Sequence, residues 1–436
     1  MKSVRGFNKM LFILYLKLYV GVSVIIGFRR KRSVGQLITI LKRLNYFIDR
    51  IRHNKFIHTA KGVRLNLYIP AFPSRAFFTS CAKFAVFGEK LPATTALVSI
   101  TSACPYSCKH CYQKLDTGPD IDIEFLKSAV ANLQDKGIAF FNIEGGEPFL
   151  RFDRLLALCE VIDSRSEIWI NSTGHGITRE RLLQLKATEL TAIMFSLHFH
   201  EPQQLNSFMG SDNAWSTMEN AIALCHEQGI PVAFNACLGR ADFYNGNFEK
   251  IMQTAYMFGG SIIQLIKPKP SGGWLADGVE EFTLADVKLI AEKVELYNCH
   301  RLFSGYPAIS PQILEEAPEM FGCTAGGTDR FYINAKGDVQ PCEFLNISFG
   351  NLQEGDFNSI YSRMRAVFDT PGDCILCEKY SKKIHDVFLR NQLTVLPLDK
   401  VLSEKIYQDW DRGRPTRLYW MVEKVLEYSG GKQGPE

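Results

Sequence analysis

The chain has no strong excess of either charge: 50 Lys and Arg face 46 Asp and Glu over 436 residues, a net charge of +4. That field is too weak to attract nucleic acid in bulk, so no nucleic-acid partner is expected. Internal repeats and long low-complexity stretches are also missing. With 46% hydrophobic and 22% charged residues, the composition excludes a disordered, collagen-like or solenoid chain. At roughly 150 residues per domain, the length allows about two or three domains. Cysteine, at 12 in the whole chain, is too dilute for a disulfide scaffold. It is clustered, however, and clustering points to metal.

Cys104, Cys108 and Cys111 crowd onto one short stretch, and Cys374 and Cys377 form a second, with Cys323 and Cys342 upstream. Cys159, Cys225 and Cys237 lie in apolar runs and read as small buried hydrophobes.

Residues 10–28 carry a single charge, Lys17, and are long enough to cross a bilayer, for which about 20 residues are the norm. Lys2, Arg5 and Lys9 precede them, and Arg29-Arg30-Lys31-Arg32 follow, where a signal peptide would need small residues. Leu37, Leu41, Leu44, Ile48 and Ile51 then fall at helical spacing among Lys42, Arg43, Arg50 and Arg52. Over 1–60 we expect hydrophobic and amphipathic helices that associate with an anionic membrane surface. The alternative is that both helices pack on the protein's own core. Basic residues on both sides leave open whether the first spans the membrane or lies in its interface. Free thiols need a reducing compartment, so the expected location is cytoplasmic, or the cytoplasmic face of the membrane.

After a linker at 61–92, short apolar runs alternate with helical patterns. Strands are expected at 95–99, 139–143, 167–170, 192–197, 232–238 and 262–266, and helices at 123–135, 152–163, 178–186 and 214–228. This is an α/β pattern: a partial (β/α)6 TIM-like barrel over 93–310, with an open doubly wound sheet as the alternative. In either, ligands bind at the C-terminal ends of the strands. A small Cys-rich domain of β-hairpin and helix is expected at 311–395. A C-terminal aromatic helix and a Gly-rich disordered tail are expected at 396–436.

Cys104, Cys108 and Cys111 follow the first strand in the spacing CxxxCxxC. Three thiolates on one loop can hold three irons of a 4Fe–4S cube and leave the fourth open to a ligand. A structural zinc would want a fourth donor. The nearest candidate, His110, sits between two of the cysteines, with its side chain expected to point elsewhere. At the end of the next strand stands Glu144-Gly145-Gly146-Glu147-Pro148. Paired glycines let a ligand approach the backbone, and Glu147 can accept hydrogen bonds from an ammonium group. Farther on, Lys336-Gly337 reads as a hairpin turn between Cys323 and Cys342. With Cys374 and Cys377 these make a closed four-thiolate site for zinc or a second 4Fe–4S cluster.

The cysteine loop and the Gly145-Gly146-Glu147-Pro148 motif together resemble the radical S-adenosylmethionine (SAM) superfamily, over residues 93–275. The resemblance implies that the open iron chelates the amino and carboxylate groups of SAM, and that a 5′-deoxyadenosyl radical abstracts hydrogen from a substrate. It places Glu147 and the Gly145-Gly146 backbone on the methionine amino group and Tyr112 near the adenine. Ser172, Thr173 and Ser196 are implied near the carboxylate or ribose, with Asn235 and Leu265 as weaker suggestions. Cys323, Cys342, Cys374 and Cys377 resemble the auxiliary-cluster extension of these enzymes, in the short twitch form of the longer SPASM domain. One auxiliary 4Fe–4S cluster is implied, suited to electron transfer or structure. A reductase such as flavodoxin or ferredoxin is the implied partner.

Lys267 and Lys269 leave the sixth strand and suit an anionic substrate group or a solvated loop. His198 and His200 follow Ser196 as acid–base or structural groups. No catalytic side chain beyond the cofactor sites is assigned. The N-terminal anchor and its basic flanks make a membrane lipid or lipid-linked intermediate the expected substrate. A peptide or protein maturase is the alternative, although no separate peptide-recognition domain precedes the barrel. A non-catalytic iron–sulfur redox protein is the third reading.

Overall fold

The computed structural model describes residues 2–87, 90–278 and 280–423; the expected disordered tail lies outside the described residues. The short strand β1 (Ser3–Val4) leads into α1 (Gly6–Phe28). Ser33 caps α2 (Val34–Arg50) in a reciprocal capping box with Gln36, which fixes where the basic run stops and the helix begins. The hairpin β2 (Phe56–Thr59) and β3 (Gly62–Arg64) joins β1 in a three-stranded sheet, and α3 (Arg75–Ala82) follows.

Strand and helix then alternate: β4 (Thr95–Ser99), α4 (Ile123–Asp135), β5 (Phe140–Glu144), α5 (Phe152–Glu160), β6 (Glu167–Ser172), α6 (Arg179–Lys186) and β7 (Leu190–Ser196). They continue as α7 (Pro202–Met209), α8 (Ala214–Glu227), β8 (Val232–Cys237), α9 (Asn247–Met257), β9 (Ile262–Ile266), α10 (Leu284–Cys299), β10 (Ala308–Pro311) and α11 (Gln312–Glu315). The hairpin β11 (Arg330–Ile333) and β12 (Val339–Gln340) and helices α12 (Phe357–Val367), α13 (Leu376–Arg390), α14 (Lys400–Tyr407) and α15 (Arg417–Glu423) complete the described chain.

The main sheet runs β10-β9-β8-β7-β6-β5-β4-β11-β12. Its neighbours pair in parallel, except β11 with β12. The six expected strands are β4 to β9, in chain order and within two residues of their expected ends. The fold is α/β with a mostly parallel, open sheet. Two features extend that reading. β10 adds to one edge, and the Cys-rich hairpin joins the other: β11 lies parallel to β4, Arg330 opposite Thr95 and Ile333 opposite Val98.

Side chains alternate across each strand. One set, including Val98, Phe141, Ile143, Ile170, Ile193 and Phe195, is buried in the core shared with the helices. The other set faces inward. Its lowest layer is Phe140, Trp169, Ala192, Ala233, Ile262 and Ala308, packed on Ile57 and Leu67 of the N-terminal segment. Arg64 forms an ion pair with Glu167 there, each side chain only 1% exposed, and its guanidinium lies 4.9 Å from the Trp169 ring centroid. Much of the stretch that reads as a linker thus plugs the strands' N-terminal ends.

α1 buries Leu16, Val20 and Val24 in a core shared with α2, and Lys17 donates to Asp49 of α2 at 2.7 Å. Elsewhere it is bare: Phe7, Leu11, Leu14, Leu18, Val22 and Ile25 are exposed. By length and composition alone it could cross a membrane.

Candidate active site

Chain leaving β4 turns along the loop that follows β5. Gly146 donates its amide to the Thr101 carbonyl and Glu147 to the Ala103 carbonyl, both at 2.8 Å. A Cβ on Gly146 would sit 2.2 Å from the Ala103 oxygen. Gly145, at φ +151°, would put one 2.6 Å from that of Thr101. What these glycines admit is therefore the cysteine loop itself. This corrects the reading in which they only make room for a ligand, although both also line the cavity described below.

Glu147 is held within the protein. Its carboxylate is fully buried and accepts from the Ser172 hydroxyl at 2.9 Å, the Thr173 amide at 2.7 Å, the Thr173 hydroxyl and the Phe149 amide at 3.1 Å. It ties the end of β6 to the loop after β5 and is not part of the cavity wall.

The cavity, about 1010 Å³ with its open mouth included, lies at the C-terminal ends of the strands. Tyr112, Ser172, Thr173, Ser196 and Asn235 line it as expected. Leu265 does not; it points the other way, into the core. Ring-facing residues that the sequence reading missed are Asn142, Glu144, Asn171 and Gln264. The signal was there: amides and a carboxylate at alternate positions inside otherwise apolar strands. Asn171 Oδ1 and Asn235 Oδ1 are buried with no hydrogen-bond partner. Such orphaned acceptors suit a ligand rich in donors, and the ammonium and ribose hydroxyls of SAM are donors.

Tyr112 donates to Glu144 at 2.7 Å, with its ring against Tyr332 and Phe344. Glu144 also accepts from Asn142 at 3.1 Å and Asn171 at 2.9 Å, and burial pushes its carboxyl up to about 8. His110 points into the cavity. It stacks on Phe208 at 4.5 Å and lies 5.6 Å from Trp274, an aromatic wall that a purine could join. Burial pushes His110 down to about 4, so it is neutral. His198 lines the same space and accepts from the Cys237 amide at 3.1 Å. Burial, and then His110, hold it well below the usual histidine range. His200 instead pairs with Asn247 and Glu201.

Cys104, Cys108 and Cys111 lie close enough to perturb one another's ionisation. Burial pushes Cys108 up to about 12 and raises Cys111. Thiolates in this loop need positive charge; Lys114 supplies some to Cys108 and Cys111, and iron would supply more. Cys323, Cys342 and Cys377 line a separate space of about 330 Å³, with Cys374 beside Cys323. Among the described residues, no three Cys, His, Asp or Glu converge on one point. Four thiolates suit zinc or a 4Fe–4S cluster, and three suit a cluster with one open iron. Both donor sets fit clusters. Lys267 and Lys269 both line the cavity, and both are ion-paired. Lys267 donates to Glu378 at 2.8 Å, and Lys269 to Glu378 at 2.8 Å and Glu316 at 2.5 Å, fastening the end of β9 to the helix that starts at the second cysteine pair.

Two groups of cysteines thus flank a cavity whose wall includes Tyr112 and Glu343, the residues after Cys111 and Cys342. Comparison agrees: residues 98–254 match the radical SAM superfamily and residues 323–379 the iron–sulfur cluster-binding domain called SPASM. The chain carries a radical SAM domain followed by a SPASM domain, and it is an enzyme that uses SAM, a 4Fe–4S cluster and further iron–sulfur binding. It is 22% identical over 308 residues to the AdoMet-dependent heme synthase of Nitratidesulfovibrio vulgaris, covering 64% of this chain and 83% of that one. It is 24% identical over 310 residues to the PqqA peptide cyclase of Xanthomonas axonopodis, covering 66% and 81%. Streptococcus suis SuiB bound to SAM has a similar fold, with a TM-score of 0.51 at 16% identity, over 62% of this chain and 65% of that one. None of these three is named for a lipid, so the expected lipid substrate finds no support in them.

Proposed function

We propose that this enzyme modifies a peptide or protein by hydrogen abstraction within the cavity. The observation that carries the reading is the cavity's position. Tyr112, one residue after Cys111, and Glu343, one residue after Cys342, are both in its wall. A substrate there lies between the two cysteine sets. When bound, SAM and its cluster supply the organic radical, and the auxiliary cluster supplies an electron acceptor. Cys104, Cys108 and Cys111 would hold the first, and Cys323, Cys342, Cys374 and Cys377 the second. Asn171, Ser196 and Asn235 would orient SAM, the aromatic wall at His110 would take its adenine, and Glu144 holds a proton beside the reacting group. A flavodoxin or ferredoxin is the electron donor. The peptide cyclase relative favours a peptide over the lipid first expected.

The setting we infer is cytoplasmic, with α1 lying on the inner membrane surface. Its buried stripe and the Lys17–Asp49 pair bind it along α2, which favours the interface over a span.

The test is reconstituted protein with SAM and a reductant. Wild type should hold about eight irons and release 5′-deoxyadenosine. Cys108→Ala should release none, and Cys377→Ser should fall to about four irons. Retained cleavage in Cys108→Ala would sink the assignment. Peptide extracts of cells carrying wild type or Cys108→Ala should then differ in one mass. Unchanged peptides beside a changed lipid would restore the lipid reading.

A further inference from the structure

A second cavity, about 1080 Å³ with its open mouth included, adjoins the first. Tyr68, Gln264 and Gln312 line both, and Gln264 donates to the Tyr68 hydroxyl at 2.8 Å where they meet. It lies where the open sheet fails to close. Gln312 follows β10 at one end of the sheet, while Thr95 and Arg330 begin β4 and β11 near the other. Leu44, Phe47 and Ile48 of α2 and Phe77 of α3 cover it. The chain's N-terminal helices, outside both matched domains, therefore make this space.

Protein interiors are packed to about 0.75 of their volume. Apolar walls left facing an open space forfeit contacts that a ligand seated there would restore. The cavity's polar atoms say which ligand. Thr95 Oγ1 and Gln312 Oε1, on side chains 1% and 5% exposed, have no hydrogen-bond partner, and neither has Arg330 Nε. Two of these accept and one donates. A hydrocarbon chain would leave all three unpaired. A peptide brings one N–H and one C=O per residue to meet them, and its apolar side chains suit the α2 wall.

We propose that this side cavity binds the apolar residues of the peptide substrate that flank the position attacked in the radical cavity. The proposal rests on the peptide reading above and adds the substrate's local sequence character: large apolar residues next to the modified one.

The probes are acetyl-Leu-Phe-Ile-amide, acetyl-Ser-Asn-Gly-amide and dodecanoate, titrated onto the full-length, cluster-loaded protein. The apolar tripeptide should bind about tenfold or more tighter than the polar one. Ile48→Trp should weaken it by about tenfold. Thr95→Val, a smaller change that keeps the fold, should weaken the tripeptide severalfold and leave dodecanoate unaffected. Iron content equal to wild type shows that each variant is folded. Equal binding of the two tripeptides, tighter binding of dodecanoate, or wild-type binding by both variants would overturn the proposal. The two readings fail differently. Tripeptide binding without any peptide modified in cells overturns the function. A modified peptide with both variants binding normally overturns the side cavity alone.

Discussion

Glu144 ends β5 with its carboxylate inside the radical cavity, and its hydrogen-bond partners Tyr112, Asn142 and Asn171 are all neutral. An unpaired buried carboxylate prefers its proton, and burial holds this one near 8. The folded chain thus binds the proton more tightly than the unfolded chain, whose carboxyl titrates at about 4.3. Its contribution to stability is fully present below that unfolded value and is lost as pH rises through about 8. Glu144→Gln removes the titration. The variant's thermal midpoint should fall less than that of wild type over this range, measured by melting the cluster-loaded protein at several pH values. Parallel curves would show that Glu144 is ionised throughout. The residue itself was legible in the sequence as the first letter of a five-residue motif. Its inward direction was not, because that depends on the register of β5 against β4 and β6.

The N-terminal plug shows what a single ion pair can hold. Arg64 on β3 and Glu167 on β6 come from elements a hundred residues apart, and both are sealed from water. Arg64 also donates to the carbonyls of Leu67 and Ile69, each at 2.9 Å, while Glu167 accepts from the Ala71 amide at 2.9 Å. Removing one partner leaves a buried charge uncompensated, which costs about 3–5 kcal/mol. Arg64→Met should lose stability of that order in a urea titration, and Arg64→Met with Glu167→Gln should regain much of it. A single variant as stable as wild type would mean that the plug is held by apolar packing alone. Nothing in the sequence marks Arg64 as different from an exposed arginine. A basic residue between two short apolar runs reads as surface until the strand ends are seen above it.

At the scale of the whole molecule, the sheet joins the two cysteine sets instead of separating them. β11, which precedes Cys342, is a direct neighbour of β4, which precedes Cys104, so the two sites share one rigid frame. The same frame leaves α1 on the outside with one apolar face bare and Arg29, Arg30 and Lys31 exposed at its end. A helix lying in a lipid interface should bind anionic vesicles and release them as salt rises. Co-sedimentation with phosphatidylglycerol vesicles should decline on replacing Arg29, Arg30 and Lys31 by Ser. Equal recovery with neutral and anionic vesicles would leave the basic run without a membrane role.

The sequence by itself determined the class of chemistry and the order of the strands. Thiol spacing within a loop and hydrophobic periodicity within a strand are local properties, and local properties survive in one dimension. Cys104, Cys108 and Cys111, the paired glycines and β4 to β9 were all readable for that reason. The tertiary structure alone decided which side of each strand meets the cavity, which carboxylate is clamped and which faces the cavity, and that Lys267 and Lys269 pair with Glu378 and Glu316. It also decided that α2 and α3 close over a gap in the sheet and so make a second cavity. Each of these depends on contacts between residues far apart in the chain, whose partners no local pattern names.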